Sequence, residues 1–307
     1  MNSFLAEIGK KLADRWLDLL IFPGLIWAGA LTAGIQLGQA DPFDIRRLES
    51  WLNQVAAQPA AHTAGTVLLV SGGLLLASAA AGLCVSGIGY ALQCLWALSG
   101  SGRLARHLVR IRSRWWQRRT ETLRAAVATA THPGLRDEDR PTALAAVRVA
   151  ERHRAKLGSS PPVAPTWIGE RFRLAANHVS DAYGIDPGLA WPRLWAVLPD
   201  NMRADLTAAQ DAYAGAARLL GWGLVYAVTG AIWWPAVIVG AVVSVGGWWR
   251  ARGTASIVAD LIETAFDLYL VDLSEKLRSS SGERMTPALG RKLAQLFEGN
   301  RLTGTER

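Results

Sequence analysis

The chain has 307 residues, half of them apolar and only 19% charged, with a net charge of +8. Soluble domains carry about a quarter charged residues, and the deficit here falls in three stretches without a formal charge, residues 19–40, 50–102 and 219–249. Crossing a hydrocarbon core takes roughly 20 predominantly apolar residues, whereas buried helices of soluble proteins run to about 14. The composition therefore excludes an ordinary soluble globule and predicts an all-α, multi-pass helical membrane protein.

In chain order, residues 4–18 predict a short amphipathic helix, with Phe4, Ile8, Leu12 and Trp16 four apart. Lys10, Lys11 and Arg15 ahead of an apolar run, with Ala28-Gly29-Ala30 inside it, mimic a cleaved secretory signal. Glu7, Asp14 and Asp18 interrupt that basic region, and the apolar run continues to Leu37. An uncleaved first span over about 17–38 is expected, kinked by Pro23. Asp41 is expected to cap a helix opening at Pro42, with Ile45, Leu48, Leu52 and Val55 on one face. Such a helix suits a membrane surface; packing on an extramembrane neighbour is the alternative.

A second span begins near Thr66, with apolar character lasting to Leu98. A helix that long overshoots a bilayer core of about 30 Å, so it is expected to leave the membrane as a continuous rigid stalk. Residues 1–98 thus form an N-terminal membrane hairpin with spans at about 17–38 and 66–90. Cys84 and Cys94, ten residues apart on the second helix, would stand roughly 15 Å apart, beyond disulfide reach.

Residues 99–160 hold fourteen Lys and Arg against five Asp and Glu. Eight of the arginines lie between Arg103 and Arg124, which places this side of the membrane in the cytoplasm. Residues 99–211 then read as a basic-to-helical cytoplasmic domain. Pro141–Lys156 has strong helix formers throughout, Thr166 caps a helix ending near Gly184, and Asp186-Pro187-Gly188 reads as a loop.

The third uncharged stretch is too long for one straight span. Arg218, Arg250 and Arg252 flank it, and Trp233-Trp234-Pro235 sits in its middle, where aromatic residues favour the headgroup level and Pro breaks a helix. A membrane hairpin over 212–255 is expected, giving four spans with both termini cytoplasmic; a single tilted span is the alternative. Residues 256–307 form cytoplasmic helices and a tail. There Ile257, Leu261, Ala265 and Leu268, with Val258, Ile262, Phe266 and Tyr269, make a broad apolar stripe that needs a partner surface. Beside it Asp260, Glu263 and Asp267 form an acidic ridge, a solvated face or a partner for the arginines of 103–124, with a divalent-cation site as the alternative.

No phosphate-binding loop or nucleophile elbow is present, and the five histidines are scattered, so no enzyme activity, cofactor or metal is expected. No proposed span has an ionisable residue near its centre, which disfavours a coupled transporter. Two candidate sites remain. Arg103, Arg106, Arg110, Arg112 and Arg114, with Trp115 and Trp116, are expected to contact anionic lipid of the inner leaflet. Basic and aromatic neighbours can also bind single-stranded nucleic acid, but the adjacent span favours lipid. Ser78, Gly82 and Ser86, four apart, form a small-residue face for close helix packing, within one protomer or between protomers. Similar spacings occur at Gly24, Ala28 and Thr32 and at Ala236, Gly240 and Ser244. The Ala- and Arg-rich, Lys-poor usage suggests a bacterial plasma membrane. The leading functional expectation is a membrane-anchored helical interaction or assembly module at the inner leaflet, as a homo-oligomer or with a protein partner; the alternative is a homo-oligomeric channel or pore.

Overall fold

The computed structural model describes residues 21–58, 63–98, 102–155 and 161–276, together with Arg291 and Ala294; the expected helix at 4–18 lies outside them. The chain is all-helical, with no strand among the described residues. The first helix, α1 (Phe22–Leu37), carries Pro23 in its first turn. A missing N–H is harmless in a first turn; Ile21 before it is itself in helical conformation, and the approach from residues 1–20 lies outside the described residues. Gly38, at a φ of 68°, ends it, a left-handed conformation that favours glycine.

The next helix, α2 (Ile45–Ala56), corrects the expected start. Asp44 is the cap, accepting from the backbone N–H groups of Arg46 and Arg47. The Asp41 carbonyl instead accepts from the Asp44 N–H in a turn, which delays the helix by three residues. No residue of α2 is buried, and Ile45, Leu52 and Val55 stand exposed.

Helix α3 (Ala64–Trp96) is long and apolar enough to cross a membrane. The expected continuous stalk is absent. α3 stops at Trp96, and Gly102, in extended conformation, opens a new helix, α4 (Arg103–Ala130). The cause lies in Ser99-Gly100-Ser101-Gly102, four poor helix formers in a row. Helix α5 (Arg140–Ala155) runs alongside α4. Thr166 caps α6 (Trp167–Tyr183) by accepting from the Gly169 N–H, and left-handed Gly184 closes it. Asp186-Pro187-Gly188 is a helix start and not a loop: Asp186 accepts from the Gly188 N–H, with Pro187 the first residue of α7 (Pro187–Val197). Helix α8 (Asp200–Thr229) leads to a short turn, and Pro235 opens α9 (Pro235–Lys276). The chain thus breaks at the Trp-Trp-Pro sequence.

Two compact units emerge, residues 1–93 with 212–251 and residues 94–211 with 252–307. In the first, helices meet through their smallest residues. A Cβ placed on Gly24 would lie 2.4 Å from the carbonyl oxygen of Ser78; one on Gly223 would lie 2.7 Å from the Ser244 nitrogen; one on Gly240, 2.6 Å from the Ala227 nitrogen; one on Gly247, 2.8 Å from the Leu220 nitrogen. Gly221 faces Val85 and Ile88 of α3, and Gly89 faces the backbone of Arg218. Large apolar side chains point the other way: Leu68, Leu69 and Leu76 of α3, Ile26 of α1, Val228 of α8 and Val242 of α9 are 65–79% exposed.

Polar bonds tie the end of α1 to the α8–α9 turn. The Gln39 amide donates to the carbonyls of Gly230 and Ala231 and accepts from the Trp234 N–H. The indoles of Trp27 and Trp233 donate to Thr229 Oγ1 and to the Pro42 carbonyl. Phe43 meets Trp234 edge-on at 5.9 Å.

The second unit has the opposite arrangement. Val179, Ile185, Leu194, Leu198, Leu206, Phe266 and Leu270 are fully or almost fully buried together. The apolar stripe of residues 257–269 finds its partner here, since Ala265 and Phe266 lie in this core with Leu261, Ile262 and Tyr269 against it. Ile257 and Leu268 remain exposed.

The glycine contacts give a sharp expectation. Gly240→Val forces a branched side chain into the Ala227 backbone, and overpacking of that kind costs about 1–3 kcal/mol. Gly246, which meets nothing within 4 Å, should accept Ala with stability unchanged or higher, since Gly to Ala within a helix gains about 0.5–1 kcal/mol. Thermal unfolding of both variants in one detergent measures the contrast.

Candidate functional site

The two candidate sites differ in how their residues are placed. Arg103, Arg106, Arg110 and Arg114 recur at i, i+3, i+7 and i+11 and are all exposed, one stripe along α4. Trp115 is 58% exposed. Trp116 is half-buried, with the Arg154 guanidinium of α5 over its ring at 5.3 Å. Arg112 stands apart from the other arginines. It is half-buried, and its Nη1 donates to the carbonyls of Ala164 and Thr166, the latter at 2.7 Å.

Arg112 belongs to a junction that the sequence reading missed. Glu170, 3% exposed, accepts at Oε2 from the N–H groups of Val163 and Ala164, at 2.8 and 2.7 Å. Its Oε1 accepts from Arg173. Thr166 uses its hydroxyl twice, accepting from the Gly169 N–H and donating to the Trp96 carbonyl at 2.9 Å. That second bond satisfies a carbonyl that α3 leaves open at its C-terminus. Gly169 has no room for a side chain, since a Cβ there would sit 2.5 Å from the Trp96 oxygen. Arg252 lies over the Trp167 ring at 4.2 Å. One signal pointed to this junction: Arg112 falls off the i, i+3, i+7 stripe of its neighbours. Glu170 gave none, because a carboxylate in the first turn of a helix reads as ordinary dipole compensation.

The junction shifts its ionisable groups. Burial raises the Glu170 carboxyl, but the Arg173 hydrogen bond, the two backbone donors and the Arg173 charge outweigh it, so its pKa falls below the usual carboxylate range. Burial lowers Arg112, against a raising effect of Glu170.

The acidic ridge is occupied as well, though not by the arginines of 103–124. Arg171 of α6 pairs with both Asp260 and Glu263, and the Tyr183 hydroxyl donates to Asp267 at 2.7 Å. Burial, then that bond and the charge of Asp267, push Tyr183 up to about 12. His178 and Asp181 are both exposed. Among the described residues no group of three or more His, Cys, Asp or Glu could hold a metal ion.

Of the packing face, Ser78 and Gly82 are buried, and Ser86 is half-buried, donating to the Gly82 carbonyl at 2.9 Å. Ser78 meets Gly24 of the same chain. Gly24 and the pair Gly240 and Ser244, from the other two small-residue spacings, also lie at helix contacts within the chain.

Glu170 supports a pH prediction. A carboxyl whose folded pKa lies below its unfolded value contributes stability above the unfolded pKa of about 4.3, and loses it as pH falls through the folded value. Glu170→Gln removes that acid-dependent loss and lowers stability at neutral pH by about 3 kcal/mol, the scale for breaking a buried charge pair. Unfolding temperatures of both proteins from neutral pH to below pH 4 report both effects.

Set beside known proteins, the chain matches no family model, no curated protein and no solved structure.

Proposed function

We propose that this chain is a multi-pass protein of a bacterial plasma membrane, in which α1, α3, the second half of α8 and the first half of α9 span the bilayer. These spans anchor a helical unit at the inner leaflet, where it acts as an interaction or assembly module. One observation carries the reading. In the first unit the helix contacts run through Gly24, Ser78, Gly223, Gly240, Ser244 and Gly247, while most of the leucines and valines of α3 and of the first half of α9 face outward. Water would not tolerate so large an apolar surface; lipid is its natural solvent, and small inward residues are how helices associate there. The second unit buries its large apolar residues, as a domain in water does.

Arg218 fits the inner boundary. Its stem crosses Gly89, and its guanidinium lies near Gly215, one turn toward the start of α8. That is a snorkelling side chain at the cytoplasmic end of a span. At the external end stand Trp233, Trp234 and Phe43, the aromatic set of a headgroup region.

A second reading, a homo-oligomeric pore, is favoured by the outward glycines Gly65, Gly72, Gly73 and Gly87 of α3, which meet nothing within 4 Å and leave room for another copy. The backbone-close contacts inside the unit favour the anchor over a pore through one protomer. Reporters fused after Arg307 and inserted at Ser159 should give a cytoplasmic signal, and one at Gln58 an external signal. An external C-terminus would exclude the four-span arrangement. Purified protein in liposomes should stay electrically silent across voltage; a steady conductance would replace the anchor with the pore.

A further inference from the structure

Helix α4 carries three stripes. Ala105 and Thr120 are buried, with Val109, Trp116 and Arg112 half-buried beside them. The exposed arginines 103, 106, 110 and 114 make the second stripe. Leu108, Ile111 and Trp115, exposed at i, i+3 and i+7, make the third. At 3.6 residues per turn the three stripes stand roughly 120° apart. One turn beyond Trp115 the apolar stripe ends in a recess of about 300 Å³ lined by Trp115, Arg118, Arg119 and Thr122. His153 of α5 holds Arg119 of this lining, its Nδ1 3.3 Å from Arg119 Nη1. Arginine has donors only, so that ring nitrogen accepts. Among the described residues Arg106, Arg110, Arg114 and Arg118 have no carboxylate partner.

We infer that α4 lies in the surface of the inner leaflet, with Leu108, Ile111 and Trp115 inserted at the headgroup–acyl boundary and the Arg118–Arg119 recess holding the phosphate of an anionic phospholipid. The inference rests on the proposed anchor reading in one respect, that α3 crosses the bilayer. Chain length then favours lipid over any other occupant. Residues 97–102 separate the end of α3 from the start of α4, and six residues span at most about 20 Å. The first turns of α4 are thereby kept beside the leaflet. The shape of the stripe agrees. A helix–helix seam repeats apolar residues over several heptads, whereas three apolar side chains edged by arginine are the pattern of an interfacial helix. Charge agrees too, since guanidiniums without carboxylate partners match a phosphate surface and bind it in bidentate fashion.

The test uses the full chain in nanodiscs, with Cys84→Ala and Cys94→Ala as background. Single cysteines, Leu108→Cys, Ile111→Cys and Gln117→Cys, carry an environment-sensitive fluorophore. All three positions are exposed, so unchanged unfolding temperatures verify the fold. In discs of phosphatidylcholine with phosphatidylglycerol, labels at 108 and 111 should be quenched by lipids spin-labelled near the headgroup, and the label at 117 by aqueous iodide. In discs of phosphatidylcholine alone the lipid quenching should fall. Removing one basic residue weakens an anionic-surface contact about fivefold, so Arg118→Gln with Arg119→Gln should bring quenching in anionic discs down to the neutral-disc level. Labels at 108 and 111 open to iodide in both discs would overturn the inference while leaving the anchor intact. Labels shielded from both quenchers would assign the face to a second copy or another protein. Failure of the chain to enter discs would overturn anchor and inference together.

Discussion

The contact between the Gly240 turn of α9 and the Gly223–Ala227 segment of α8 sets the terms for the first unit. At Gly223, Gly240 and Gly247 a would-be Cβ would come within 3 Å of backbone atoms of the facing helix, which puts backbone against backbone. Attraction between atoms falls off steeply with distance, so helices this close gain dispersion without any large interdigitating side chain. Most of the larger apolar side chains of α3 and of the first half of α9 are displaced outward. The exposed leucines of α3 and valines of α9 are the geometric remainder of a small-residue interior. They do not reflect a failure to bury hydrophobic surface.

Helices α8 and α9 each carry two packing codes along one continuous rod. Leu206 of α8 is fully buried among large apolar neighbours, while Val228, six turns on, is 75% exposed. In α9 the outward Val242 gives way to the buried Phe266. A hydrophobic pattern read from sequence reports which residues share a face, not whether that face points toward or away from the centre. The distinction comes from the size of the residues opposite. Glycine and serine at four-residue spacing mark an inward face in the first unit; Leu, Ile and Phe mark it in the second.

This accounts for what the sequence disclosed. The all-helical class and the break at Trp233-Trp234-Pro235 were legible, because charge-free runs and proline act locally. The cap at Thr166 was legible for the same reason. The cap at Asp44 was not, since Asp41 and Asp44 are both competent and the choice depends on a turn. The α3–α4 break was written in Ser99-Gly100-Ser101-Gly102 but outweighed by the apolar run before it. The Arg112–Glu170 junction was hidden because its members lie 58 residues apart and each looks conventional alone. Placing Arg112 among the lipid-facing arginines followed from counting charge without counting helical angle.

The Gln39 contacts bear on how the chain is made. Gln39 and Trp27 bond to groups 191 to 202 residues later in the sequence. Translation proceeds at about 5–20 residues per second, so α1 emerges roughly 10–40 seconds before the turn that completes its end. Through that interval the Gln39 amide and the Trp27 indole must be held by water, lipid headgroups or an insertion factor. Helix α1 is therefore made long before the groups that complete its end. Truncation anywhere before residue 229 leaves its polar end without the groups it was built to meet.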